Sequence, residues 1–336
     1  METSQDWKVI LKSVWKNRIY PFVCPPKYPN IGLLMLCTFG ISLLTQLIWQ
    51  AIPESKLFFS KTSIIGYSVI MLFRLLLLLL TYVFVSEHFK IEEYHTWGRN
   101  PGLGAFFMSF LVGVPAMLLS IGLHNLFIFW ELKLENPIPS QLFYYVTNDS
   151  SQESVYLVIF ITILLPTLIE ELYFRGLFFA VIPRKWYLSI FIPALLSALF
   201  ATNRLEFLSL LSIALCTSLV RYYTDSVLCS CFTRIGLVCS TVLLNSLLSP
   251  QDPETVQNAI DYSRTVLYSS VIGIAIAVVM LLVLFRQLRD FRALRINEDE
   301  KTEDDSAKPL EIPLKAHFRL GFFLGILFLI LCWVFS

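Results

Sequence analysis

Nine apolar runs divide this chain, each long enough, or nearly so, to cross a membrane as a helix. They fall near Ile31–Ile52, Ile64–Ser86, Leu103–Trp130, Val155–Ile182, Tyr187–Thr202, Phe207–Tyr222, Ser226–Leu248, Val266–Phe285 and Leu320–Phe335. About 20 apolar residues rising 1.5 Å each cross about 30 Å of hydrocarbon. The fifth and sixth runs are short, which tilt or shielding by neighbours accommodates. With no water in the hydrocarbon, every backbone N–H and C=O needs an internal partner, so runs of this kind fold as helices. Composition agrees: 56% of residues are hydrophobic, 15% are charged and mean hydropathy is +0.67, more apolar surface than a soluble domain can cover. The expected fold is all-α, a polytopic membrane helical bundle of about nine transmembrane helices.

Charge placement orients the bundle. Lys8, Lys12, Lys16, Arg18 and Lys27 precede the first run, which places the N-terminus inside by the positive-inside rule. With nine crossings, Arg184–Lys185 and the group Arg286, Arg289, Arg292 and Arg295 are then also inside. The acidic loops Glu131–Glu153 and Gln251–Asp261 fall outside, and the C-terminus ends outside. The organisation expected is a cytoplasmic N-terminal segment (1–30), a membrane domain (31–285) and a charged cytoplasmic loop (286–318) that includes the aperiodic stretch Asn297–Lys308. A C-terminal transmembrane helix (319–336) follows. No cleavable signal peptide is evident, so the first run is expected to serve as an uncleaved anchor. Asn148-Asp-Ser150 fits a glycosylation sequon, a pattern common by chance. The seven cysteines form no C-x-x-C pair and read as buried small apolar residues. A net charge of +1 carries no footprint for nucleic acid, and none is expected as a partner; membrane lipids are.

Inside the fourth run stand Glu170 and Glu171, followed by Arg175. Ionisable groups at membrane depth are costly and mark function by default. Adjacent helical residues point about 100° apart, so the two glutamates have different work. Arg175 lies at i+4 from Glu171, the spacing of a helical ion pair. Glu170 is left to face something else, and a carboxylate in a low-dielectric cavity serves as a general base for water. The alternative is a buried ion cluster that only locks helices together. Pro166, four residues before Glu170, removes a backbone hydrogen bond to Thr162 and predicts a kink.

The segment Glu170–Gly176, EELYFRG, resembles the E-E-x-x-x-R signature of the CPBP family, the CAAX prenyl proteases and the Abi bacteriocin-processing intramembrane proteases. Leu195–Arg204, LLSALFATNR, is similar to that family's F-x-x-x-H element, with Arg204 at the histidine position. Tyr222–Arg234, YYTDSVLCSCFTR, resembles its third element, with Arg234 at the second histidine position and Val238 four residues on. The likeness covers about residues 155–248. It implies an intramembrane endopeptidase acting on membrane-associated or prenylated peptides. In such a protease the first glutamate and the motif-two histidine activate a water, zinc or another divalent metal takes part in some accounts, and motif-three residues stabilise the oxyanion. It also implies an integral, multi-pass location, in a bacterial inner membrane or a eukaryotic internal one.

Both histidine positions hold arginine here. Arginine has no free lone pair and stays charged, so it is neither metal ligand nor base. No metal or other cofactor is therefore expected. Arg234 retains N–H donors suited to an oxyanion. Asn203 is placed to bond a water, and His124, in the third run, is the one histidine with a route to the cavity; its default reading is packing. The candidate site is thus Glu170, Glu171, Arg175, Asn203, Arg204 and Arg234. If Arg175, Arg204 and Arg234 converge on the glutamates, they form a compensated cluster with residual positive charge, joining the fourth, fifth and seventh helices. Such a cluster favours a carboxylate or a lipid phosphate. Two functions follow: an endopeptidase with a degenerate site using Glu170 as base, or a non-catalytic pseudoprotease of binding or immunity type. A transporter has only the number of spans in its favour.

Overall fold

The computed structural model describes residues 29–51, 64–132, 164–182, 185–200, 207–247, 259–299 and 320–335. The elements are α1 (Ile31–Ala51), α2 (Ile64–His88), α3 (Glu93–Trp97), α4 (Leu103–Leu132), α5 (Leu165–Glu171), a π turn (Leu172–Leu177), α6 (Phe178–Val181), α7 (Trp186–Leu199), α8 (Phe207–Thr224), α9 (Val227–Leu247), α10 (Ala259–Asp299) and α11 (Leu320–Phe335). Among the described residues there is no strand, only a single bridge between Gly98 and Ser226. The fold is all-α, and each of the nine apolar runs has its helix, the fourth being α5, the π turn and α6 together.

Among the described residues five helices are long and apolar enough to cross a membrane by themselves: α1, α2, α4, α8 and α10. The shorter apolar helices Trp186–Leu199, Val227–Thr241 and Leu320–Cys332 stand beside them. The protein is an integral membrane protein. Large apolar side chains remain exposed along α2 and α10, among them Leu76, Leu80, Phe84, Val279 and Leu282, as surfaces facing lipid must be.

The packing divides into two apolar clusters. One joins α1, α2, the π turn, α6 and α7 through Leu34, Phe39, Leu78, Phe174, Phe178 and Phe200. The other joins α4, α8, α9 and α10 through Val112, Ala116, Val220, Cys229 and Leu288. Small residues set the helix spacing. A Cβ on Gly236 of α9 would collide with the Phe110 carbonyl of α4, and one on Gly113 would collide with the α9 backbone at Leu237. Thr233 Oγ1 then reaches across to donate to the Ser109 carbonyl at 2.9 Å. Without a hydrophobic force between helices in lipid, such close backbone approach and interhelical bonding are what hold them.

The same contacts give directions. Phe106 meets Phe232, Ser109 meets Thr233 and Phe110 meets Gly236, so α4 and α9 run parallel. Gly122 meets Ile274 and Gly104 meets Phe291, so α4 and α10 run antiparallel. Gly321 meets Gly32, Gly325 meets Met35 and Phe328 meets Gly40, so α1 and α11 run parallel. These are the relations required of the third and seventh, third and eighth, and first and ninth crossings of one chain.

Three features differ from the sequence reading. The helix of the eighth run does not end at Phe285; α10 continues through Arg286–Asp299, where a charged loop was expected. Arg, Leu, Gln and Ala are good helix formers, and Leu288 is buried there against the second cluster. The short helix α3 has no apolar run of its own. The π turn interrupts the fourth helix immediately after Glu171.

Candidate functional site

The fourth helix supplies three of the expected residues from one buried segment. Glu171 and Arg175 flank the start of the π turn, with side chains 0% and 1% exposed. Arg175 Nη1 lies 3.3 Å from Glu171 Oε1, as the i+4 spacing requires. Its other contacts reach two further helices: Nη1 donates to Ser197 Oγ on α7 at 3.1 Å, and Nη2 donates to the Ala214 carbonyl on α8 at 2.9 Å. Arg175 therefore ties α7 and α8 to the fourth helix.

Glu170 does face a different partner, and that partner is Arg234 of α9. Arg234 Nη1 donates to Glu170 Oε2 at 2.9 Å, while its Nε lies 3.4 Å from Glu171 Oε1. One guanidinium thus spans both carboxylates. Glu170 and Arg234 are the less enclosed pair, 15% and 19% exposed. Two carboxylates and two guanidiniums balance in charge. The cluster joins the fourth helix to α7, α8 and α9, the helices of the fifth, sixth and seventh runs, so the sixth is added to the three expected from charge counting. Asn203 and Arg204 lie outside the described residues, as do the Asn148 sequon and Thr162, whose carbonyl the Pro166 kink concerns. His124 is buried on α4. The ion pairs of Glu170 and Glu171 are made by Arg175 and Arg234.

Zinc, which the resemblance raises, does not fit the donors at hand. Among the described residues no group of three His, Cys, Asp or Glu is arranged to hold a metal. Both carboxylates already have guanidinium nitrogens at 2.9–3.4 Å, so a dication placed between them would meet two like charges.

Two arginines of the architecture were missed from sequence. Arg221, at the end of α8, is fully buried and donates from Nε to the carbonyl of Arg175 at 3.0 Å, inside the π turn. Its Nη1 pairs with Asp225 Oδ1 at 2.8 Å. A π turn widens the backbone ladder and exposes carbonyls to outside donors, and Arg221 supplies one. The same corner receives the loop after α3. Gly98 has φ +75°, and a Cβ there would collide with Asp225; the Arg99 N–H donates to the Asp225 carbonyl at 2.8 Å. The Thr96 carbonyl packs 3.1 Å from where a Cβ of Gly176 would stand. The signal for Arg221 was present: a lone arginine closing an apolar run, four residues before Asp225. Arg74 is the second, a charge in the middle of α2. Its Nη2 donates to the Phe200 carbonyl at 2.8 Å and its guanidinium lies 3.6 Å from the Phe200 ring centroid. It thereby caps the C-terminus of α7, where a positive charge also complements the helix dipole.

These features define a class: an all-α integral membrane protein with a glutamate–arginine cluster buried between its helices. Comparison with known families narrows it. Residues 152–240 match the family described as Rce1-like, type II CAAX prenyl endopeptidase Rce1-like, and over that segment the chain is similar to it. The matched segment holds Glu170, Glu171, Arg175 and Arg234. No curated protein and no solved structure matched the chain.

Proposed function

We propose that this protein is a non-hydrolytic member of the CPBP-type intramembrane protease families, one that binds membrane-associated or lipidated peptides without cleaving them. The observation that carries this reading is Arg234, whose guanidinium lies against Glu170 at 2.9 Å and against Glu171 at 3.4 Å. A general base must accept a proton from water, and a carboxylate held by a permanent cation is a poor acceptor. Arginine also supplies neither the lone pair nor the second base that a histidine would. The closed, charge-balanced cluster is suited to holding helices in register.

The competing reading is an endopeptidase that uses Glu170 as base in an altered site. The family match favours it, because the relatives it describes are endopeptidases. The two separate in a cleavage assay on prenylated and unmodified membrane peptides. Wild type, Glu170→Ala and the double variant Arg204→His with Arg234→His are compared, with peptide binding measured in parallel. The proposal expects binding without cleavage by wild type, and binding retained in Glu170→Ala. Loss of a working base lowers a rate by ~10²–10⁴-fold. Wild-type cleavage that disappears in Glu170→Ala would therefore establish the protease and end the non-hydrolytic reading.

A further inference from the structure

We propose that Arg286 and Arg289 of α10 form a binding site for the headgroup of an anionic phospholipid. The helix has 41 residues, about 60 Å at 1.5 Å per residue, roughly twice the hydrocarbon thickness. Its apolar part carries a continuous exposed stripe that includes Tyr268, Val271, Val278, Val279 and Leu282. The opposite side, with Ala277, Leu281 and Leu288, is buried against the neighbouring helices.

At about 100° per residue, Arg286 and Arg289 fall four and seven positions beyond Leu282, on the same exposed face. The lipid-facing stripe thus runs directly into two guanidiniums. Both are exposed, and neither forms an ion pair with any described residue. Arg292, one turn further on, differs: it is half-buried, with its guanidinium 3.9 Å from the Tyr222 ring centroid. The nearest charge of opposite sign in sequence is Asp290, exposed, about 100° from Arg289 and one turn beyond Arg286 at i+4, with no ion pair formed to either.

Two exposed guanidiniums one turn apart match a phosphodiester, which a planar fork engages through paired N–H bonds. Lipid is the source of that phosphate. The face is continuous with a surface that acyl chains cover, and arginines at the end of an apolar helix sit at headgroup depth.

The test uses the full-length protein in nanodiscs of phosphatidylcholine, with and without phosphatidylglycerol. Lipid retained on the protein is read by native mass spectrometry, and stability by melting temperature. Wild type is expected to retain phosphatidylglycerol and to melt higher in its presence. Arg286→Gln with Arg289→Gln is expected to lose both effects, with about thirtyfold weaker retention at low salt, while melting as wild type in phosphatidylcholine alone. If the double variant melts early in phosphatidylcholine, the single variants decide, each expected to lose about fivefold. Inorganic phosphate without anionic lipid is expected to give no gain in melting temperature. Equal phosphatidylglycerol retention by wild type and the variants would overturn the proposal. So would an equal gain from inorganic phosphate, which would mark a site for a free anion.

Discussion

Arg175 has three partners on three elements: an ion pair with Glu171 and hydrogen bonds to Ser197 and the Ala214 carbonyl. Its removal leaves Glu171, 0% exposed, with only the longer contact to Arg234. Breaking a buried pair from one side costs of order 3–5 kcal/mol. Arg175→Ala is accordingly expected to lower the melting temperature in detergent sharply, and Arg175→Lys to fall between, since an ammonium cannot meet all three partners at once. A melting temperature unchanged in Arg175→Ala would show that the pair does not bear on stability. This pair was legible in the sequence because both partners sit on one helix at i+4, where local geometry alone brings them together. The Glu170–Arg234 pair was legible only as a suspicion, because 64 positions separate the partners and only the packing of α9 on the fourth helix sets the distance. Arg221 was legible only as a lone arginine four residues before Asp225, and its bond into the π turn was not. Its main partner at the site is a backbone carbonyl, and a backbone atom leaves no trace in a motif.

At the scale of elements, the length of the apolar runs revealed every long helix but neither the π turn nor the end of α10. A π turn costs backbone regularity and persists where outside contacts determine it. Here they come from Arg221, which donates to the Arg175 carbonyl, and from Thr96, whose carbonyl packs on Gly176. Both contacts come from outside the fourth helix, from α8 and α3. The α10 boundary was misplaced because charge ends an apolar run without ending a helix. Close helix pairing is the more local matter, and it can be probed by one methyl group. Gly236→Ala on α9 places a Cβ into the Phe110 carbonyl of α4, where no flexible side chain can yield. The helices must separate, and the Thr233 bond to the Ser109 carbonyl is stretched with them. The expected cost is that of an overpacked core, about 1–3 kcal/mol, read as a lower melting temperature. An identical change at Gly273, which has nothing within 4 Å, is expected to leave stability unchanged and serves as the control.

Across the whole molecule, the parallel and antiparallel pairs constrain how the chain threads the membrane. The α3 loop, the α8–α9 corner and the far end of α10 lie together, since Arg99 bonds Asp225 and Arg292 covers Tyr222. That end also carries Lys185 at the start of α7, beside the Ile182 end of the fourth helix. Exposed lysines and arginines therefore concentrate at one end of the bundle, as nine alternating crossings with basic loops on a single side require. The sequence made this arrangement legible through loop charge alone; the glycine contacts supply the directions independently. The prediction is that Glu92→Cys and Arg289→Cys react with a membrane-impermeant maleimide from the same side, and from the side opposite to a cysteine placed in the 251–258 loop. Cys24 and Cys239 are first replaced by serine, because Cys239 is exposed, whereas the cysteines at 216, 229, 231 and 332 are buried. By the positive-inside rule, the side shared by positions 92 and 289 is the cytoplasmic one, so intact cells shield both positions and inverted vesicles expose both. Labelling of position 92 from one side and position 289 from the other would break the alternation. α4 and α10 would then no longer be antiparallel as the third and eighth crossings of one membrane, and the nine-helix threading would be wrong.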